Sequence, residues 1–161
     1  MKNTSHPVCE LETFNLSKLH VEALNSSDNN EFSAMHSFAY DVLCRKDEPR
    51  IKKLVMQYSL VPNQEDEKPR CPYAINVEIE GVFSFPDVTP DDKIDYLCRV
   101  NGLTILYGIL RGEIANVTGS FKKGKFILPT VMMQDVVQDI EKRKAETREA
   151  NNGNSQHPDQ P

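Results

Sequence analysis

The sequence predicts an α+β fold: a four-stranded antiparallel sheet, read as a meander, followed by two helices. Three observations predict it. Apolar and polar residues alternate through the first half of the chain, most cleanly from Tyr73 to Phe85. From Leu103 onward the apolar spacing becomes three and four residues, the period of a helix. Between the two, Pro86 stops the sheet, and Thr89-Pro90-Asp91-Asp92 supplies a cap, a proline at the first helical position and acids in the first turn.

Taken in order, residues 1–10 are polar and are expected to form a frayed, disordered N-terminus. Phe14 to Leu24 reads as a strand whose apolar residues change sides. Phe14 and Leu16 share one face and Leu19, Val21 and Ala23 the other, so a bulge or bend is expected between them. Asn25 to Asn30 is a turn cluster. Phe32 to Val42 follows, with Phe32, Ala34, His36, Phe38, Tyr40 and Val42 on one face. After the turn Arg45-Lys46-Asp47-Glu48-Pro49, a third strand runs from Arg50 to Val61 with Leu54, Met56, Tyr58 and Leu60. A charged loop, Pro62 to Pro69, precedes the fourth strand. There Tyr73, Ile75, Val77, Ile79, Gly81, Phe83 and Phe85 line one face, and Asn76, Glu78 and Glu80 the other.

The first helix starts at Pro90, is interrupted near Asn101-Gly102 and ends by Gly119. At about 100° per residue, Leu103, Leu106, Tyr107, Leu110, Ile114 and Val117 form one stripe, and Ile105 and Ile109 widen it. A sheet covers one side of such a helix. The other cover is the second helix or another copy of the chain. Residues 120–129 form a loop, and Thr130 caps the second helix, which carries Val131, Met132, Met133, Val136, Val137 and Ile140 and turns polar from Glu141. Residues 11–149 form a single domain, and 150–161, rich in Asn, Gln and Pro, are expected to be a disordered tail.

With 161 residues the chain can bury a core without disulfides or metals. A net charge of −5 argues against a general nucleic-acid or anionic-membrane binder. Cys9, Cys44, Cys71 and Cys98 lie too far apart for zinc or redox motifs. The N-terminus has no apolar signal region and no apolar run reaches the ~20 residues of a membrane span, so a reduced, cytoplasmic protein is expected.

Gly119-Ser120-Phe121-Lys122-Lys123-Gly124-Lys125 satisfies GxxxxGK, but Phe126 stands where a phosphate loop needs Ser or Thr, and a helix rather than a strand precedes it. Among His6, His20, His36 and His157 no catalytic arrangement has local support. Neither an enzyme nor a cofactor is indicated.

A different grouping stands out. Phe121, Phe126, Ile127, Leu128, Met132 and Met133 gather in and beside a loop marked by glycines and lysines, and Phe83 and Phe85 end the neighbouring strand. Apolar residues with flexible methionines at a surface suit varied apolar segments.

The run Ile79-Glu80-Gly81-Val82-Phe83-Ser84-Phe85, the helix Asn101 to Glu113 and the segment Phe126-Ile127-Leu128-Pro129-Thr130-Val131 with Asp135-Val136-Val137 resemble the SecB family of export chaperones over residues 73–137. The resemblance implies a four-stranded antiparallel sheet with two helices, assembled as a dimer of dimers. It implies unfolded preproteins bound in apolar grooves without ATP and handed to the SecA motor. Carried over by position, Phe83, Phe85, Phe121, Phe126, Ile127, Leu128, Met132 and Met133 would line or border the groove. Leu106, Tyr107, Leu110 and Ile114 would hold the oligomer together, and Glu22, Glu78 and Glu80 are the SecA-docking candidates. Lys18 and Asn76 stand where the family's docking face is acidic, and Gly108 where it has proline. The expectation is therefore an ATP-independent holdase for non-native polypeptides. The alternatives are a SecB-like chaperone dedicated to one partner, for example a labile antitoxin, or a scaffold module for a folded partner.

Overall fold

A computed structural model describes residues 8–26, 33–63, 65 and 70–153. The expectations for residues 1–7 and 154–161, for Phe32 and for much of the 25–30 and 62–69 turns lie outside the described residues. Residues 1–130 and 131–161 form two compact units.

The first unit contains strands β1 (Glu10–Ala23), β2 (Ala34–Cys44), β3 (Ile51–Pro62) and β4 (Tyr73–Ser84), all antiparallel. Their order across the sheet is β1-β4-β3-β2. The expected meander is thus corrected. β2, β3 and β4 do follow one another as neighbours, but β1 lies beside β4, so the β1–β2 connection joins opposite edges of the sheet. Burial explains the arrangement. Leu54, Met56, Tyr58 and Leu60 of β3, and Tyr73, Ile75, Val77, Ile79 and Phe83 of β4, are all at most 2 % exposed, which suits the two central positions. The less apolar β1 and β2 take the edges.

Helix α1 (Asp91–Leu97) passes through one π-helical turn, Cys98–Gly102, into α2 (Leu103–Gly119). The interruption expected at Asn101-Gly102 is this turn. The helix starts one residue later than the sequence implies: Pro90 is the N-cap and makes no side-chain capping bond. Arg50 holds the entry instead. Its guanidinium donates to the carbonyls of Pro86 (2.8 Å) and Thr89 (3.2 Å) and pairs with Asp91 (2.6 Å). Lys52, nearly buried at the start of β3, adds a 2.9 Å pair to Asp95.

Leu103, Leu106, Tyr107, Leu110 and Ile114 are buried on one face of α2, with Ala115 and Thr118 completing the stripe where Val117 was expected. The sheet and α2 approach closely because two glycines allow it. A Cβ at Gly81 would stand 2.9 Å from Leu106 Cδ2, and one at Gly102 would stand 2.8 Å from Leu54 Cδ2. All four cysteines are free, with Cys71 and Cys98 buried.

The second unit contains α3 (Met133–Gly153). Its start falls three residues beyond Thr130, the expected cap, and its first bonds run from the Asp135 and Val136 N–H groups to the Met132 carbonyl. It continues into the segment expected to be a disordered tail. Met133, Val137 and Ile140 recur at helical spacing, and the polar stretch from Glu141 stays helical.

Candidate functional site

The apolar row of β1 changes sides in sequence but not in space. Bulges between Leu11 and Thr13 and between Leu16 and Lys18 each insert one residue. In the resulting register Phe14 faces Gly81, Leu16 faces Ile79, Leu19 faces Val77 and Val21 faces Ile75. All four therefore lie on the core side of the sheet, because side chains directly opposite each other share a face. Yet β1 is an edge strand: Phe14 remains 42 % exposed and Leu19 40 %. A row aimed inward and left half open is a surface for an apolar ligand, and an unpaired strand edge offers backbone groups to an extended chain.

At the Ala23 end of this row stands an aromatic group. Tyr73, opposite Ala23, has its ring 5.9 Å from Phe121 and 5.7 Å from Phe126, and its hydroxyl donates to the Gly124 carbonyl at 2.6 Å. Gly124 takes φ = +83°, which closes the loop after α2. The Phe121 N–H donates to the Thr118 carbonyl and the Gly124 N–H to that of Phe121. Those amides are spent within the loop, so the GxxxxGK segment is not shaped to cradle a phosphate.

From Phe126 to Pro129 the chain has no regular secondary structure and is strapped to α2. Thr118 Oγ1 accepts the Phe126 N–H (2.9 Å), Arg111 Nε donates to the Leu128 carbonyl (3.0 Å), and the Tyr107 hydroxyl donates to the Pro129 carbonyl (2.8 Å).

The last bond borders an aromatic cluster. A carbonyl only accepts, so Tyr107 spends its proton on Pro129. Beside it the Tyr58 and Tyr107 rings pack edge-on at 5.8 Å, and His36 Nδ1 lies 2.8 Å from the Tyr58 hydroxyl oxygen. Burial pushes both tyrosines' pKa values up and keeps them protonated. Partial burial holds His36 below the usual histidine range. Phe38 packs edge-on against Tyr58 at 5.0 Å.

Several groove residues expected from the sequence are core residues. Phe83 and Leu128 are fully buried and Phe85 is 4 % exposed, because the sheet face and α2 close over them. Phe121 and Phe126 are half-buried against Tyr73, and Ile127 is 60 % exposed. Met132, in the second unit, is 69 % exposed, while Met133 is buried. The expected oligomer residues Leu106, Tyr107, Leu110 and Ile114 are likewise buried inside the subunit. The outer side of α2 carries half-buried Ile105, Ile109 and Val117 around exposed Gly108 and Gly112. Sequence reasoning passed over Phe14 and Leu19; the signal was the change of side, which it read as a bulge without drawing the consequence.

The three docking acids differ in their partners. Glu80 is paired with Lys53 at 2.6 Å, which holds its carboxyl below the usual range. Glu78 accepts from Gln57 at 2.9 Å and lies opposite Lys18, and Glu22 is 3.9 Å from His20. Among the described residues no helix is long and apolar enough to cross a membrane.

No family model matches the chain. An uncharacterized protein of Methanocaldococcus jannaschii is 22 % identical over 144 residues, covering 89 % of this chain and 92 % of its own. A protein of unknown function from Streptococcus agalactiae superposes with a TM-score of 0.43 at 14 % identity, over 76 % of this chain and 97 % of that one. The Rv1957 SecB-like chaperone of Mycobacterium tuberculosis, solved with a ChAD peptide from the Rv1956 HigA1 antitoxin, superposes with a TM-score of 0.53 at 12 % identity. That match covers 76 % of this chain and 90 % of the chaperone. The four-stranded antiparallel sheet followed by helices is thus a SecB-like fold.

Proposed function

We propose that this protein is a cytoplasmic, ATP-independent chaperone that holds non-native polypeptide on the inner face of β1 and the aromatic loop beside it. One observation carries the reading: two bulges turn Phe14, Leu16, Leu19 and Val21 inward at a sheet edge that leaves the row half open. The likeness to a chaperone fold supports it and favours a non-enzymatic role. Covering roughly 100 Å² of apolar surface yields about 2.5 kcal/mol, too little for stable capture at one site. Capture then depends on several such sites touched by one client, which association of copies supplies. The copies meet, in this reading, through the outer side of α2, where Gly108 and Gly112 permit close approach. Whether that gives a dimer or a dimer of dimers is read from the mass in solution.

Within the chaperone class, service to one dedicated partner is favoured over general export. Lys53 offsets the charge of Glu80 and Lys18 stands opposite Glu78, so a basic motor surface such as that of SecA would meet a weakened negative field. The neighbouring fold was solved with an antitoxin peptide, which points the same way.

The test is aggregation of a chemically denatured protein diluted into buffer without nucleotide, with and without stoichiometric chaperone. Suppression is expected, and it should weaken in the Phe14→Glu, Leu19→Glu double variant. Equal aggregation in all arms would count against the reading. Tight SecA capture in a pull-down would remove the case for a dedicated partner, and preference for a folded partner over denatured chains would favour a scaffold module.

A further inference from the structure

The strap from Phe126 to Pro129 is bound the way proteins bind foreign extended chains. Three side chains of α2, Tyr107, Arg111 and Thr118, stand four and seven residues apart and hydrogen-bond its backbone, at 2.8, 3.0 and 2.9 Å. Side chains along the strap alternate. Phe126 leans on Tyr73, Ile127 is 60 % exposed, Leu128 is fully buried and Pro129 is exposed. Main-chain bonds combined with pockets for alternate side chains are the pattern of extended-peptide recognition, in which sequence is read loosely. Nothing in the three polar contacts depends on the identity of the strap residues. Specificity resides only in a pocket filled by a leucine and a ring face met by a phenylalanine two residues before it.

We propose that this strap is a resident ligand of α2, displaced by a client segment that is extended and carries a bulky apolar residue two positions after an aromatic one. This rests on the polypeptide-binding reading above and names the chemistry of its client. The strap is short and begins two residues after Gly124, whose positive φ closes the loop before it. While seated it competes with the client. The apparent affinity is therefore the intrinsic one multiplied by the fraction of molecules with the strap raised.

That competition gives opposite signs to two kinds of variant in the full-length protein. The probe is a fluorescently labelled synthetic peptide of the chain's own sequence, Lys-Lys-Gly-Lys-Phe-Ile-Leu-Pro-Thr-Val. Leu128→Ala weakens the resident strap and leaves the α2 ridge intact, so the probe should bind about ten-fold tighter. Thr118→Val removes an acceptor from the ridge and should not tighten binding. Because Leu128→Ala opens a cavity, a second measurement uses the unaltered protein: hydrogen exchange at the Phe126 amide should accelerate when the probe saturates. If denatured protein is held but Leu128→Ala binds the probe no tighter and Phe126 exchange is unchanged, the strap is only structural and this inference falls alone. If neither denatured protein nor the probe binds, the inference falls together with the chaperone reading.

Discussion

Alanine at Gly108 or Gly112 should stabilise a subunit, whereas alanine at Gly102 should destabilise it, although all three belong to one helical run. Nothing lies within 4 Å of a Cβ built at Gly108 or Gly112. Only the helix propensity then acts, about 1 kcal/mol per site in favour of alanine. For a chain of this size that is a rise of about 2–4 °C in Tm. Gly102 has the same right-handed backbone, so the same propensity gain applies. Against it stands a Cβ 2.8 Å from Leu54 Cδ2 and 3.4 Å from Phe83, both fully buried. Overpacking of that kind costs about 1–3 kcal/mol, so the net lies between about zero and 2 kcal/mol of destabilisation. Urea unfolding at high dilution, followed by circular dichroism, reads the single-subunit effect, and light scattering at higher concentration reads assembly. If the outer side of α2 is where copies meet, Gly108→Ala and Gly112→Ala should also lower the mass in solution, since each methyl occupies the space a second helix needs. A lowered urea midpoint for Gly108→Ala at dilution would refute the open face. A raised midpoint with unchanged mass would refute association through it.

Gly81→Ala, in a central strand, should lower Tm because its Cβ would meet Leu106 at 2.9 Å and both Leu11 and Phe83 at 3.1 Å; thermal melts giving no change would mean that these side chains yield freely. His36 has a folded pKa below its ordinary value of 6.5 through partial burial, so the unfolded chain takes up the proton first. Its contribution to stability is present above about pH 6.5 and declines as pH falls through the folded value. Urea midpoints between pH 7.5 and 5 should therefore drop less in His36→Asn than in the native chain. Thr118→Val leaves the Phe126 N–H without its acceptor and should cost about 1–3 kcal/mol by urea unfolding, or much less if water enters in its place.

Much of the fold was legible because periodicity is a local property. The strict alternation from Tyr73 to Phe85 could serve only a strand with one dry face, and Leu103 to Ile114 only a helix against a sheet. Even the fault between Leu16 and Leu19 could be read as a bulge. The candidate site was less legible. Phe83, Phe85 and Leu128 look like any exposed apolar residues beside a loop until the thickness of the core is known. Arg111 and Tyr107 give no sign that they clasp a backbone seventeen and twenty-two residues downstream.

Composition and spacing by themselves determined the class, the number of strands, the helix stripe and the absence of a phosphate-loop context after Gly119, since each follows from neighbours along the chain. Strand order, the half-open row on β1, the Lys53–Glu80 pair on the outer face and the strap on α2 were decided only in three dimensions. Each depends on which distant segments compete for the same surface, and burial of β3 and β4 at the centre settles that competition by leaving β1 at the rim.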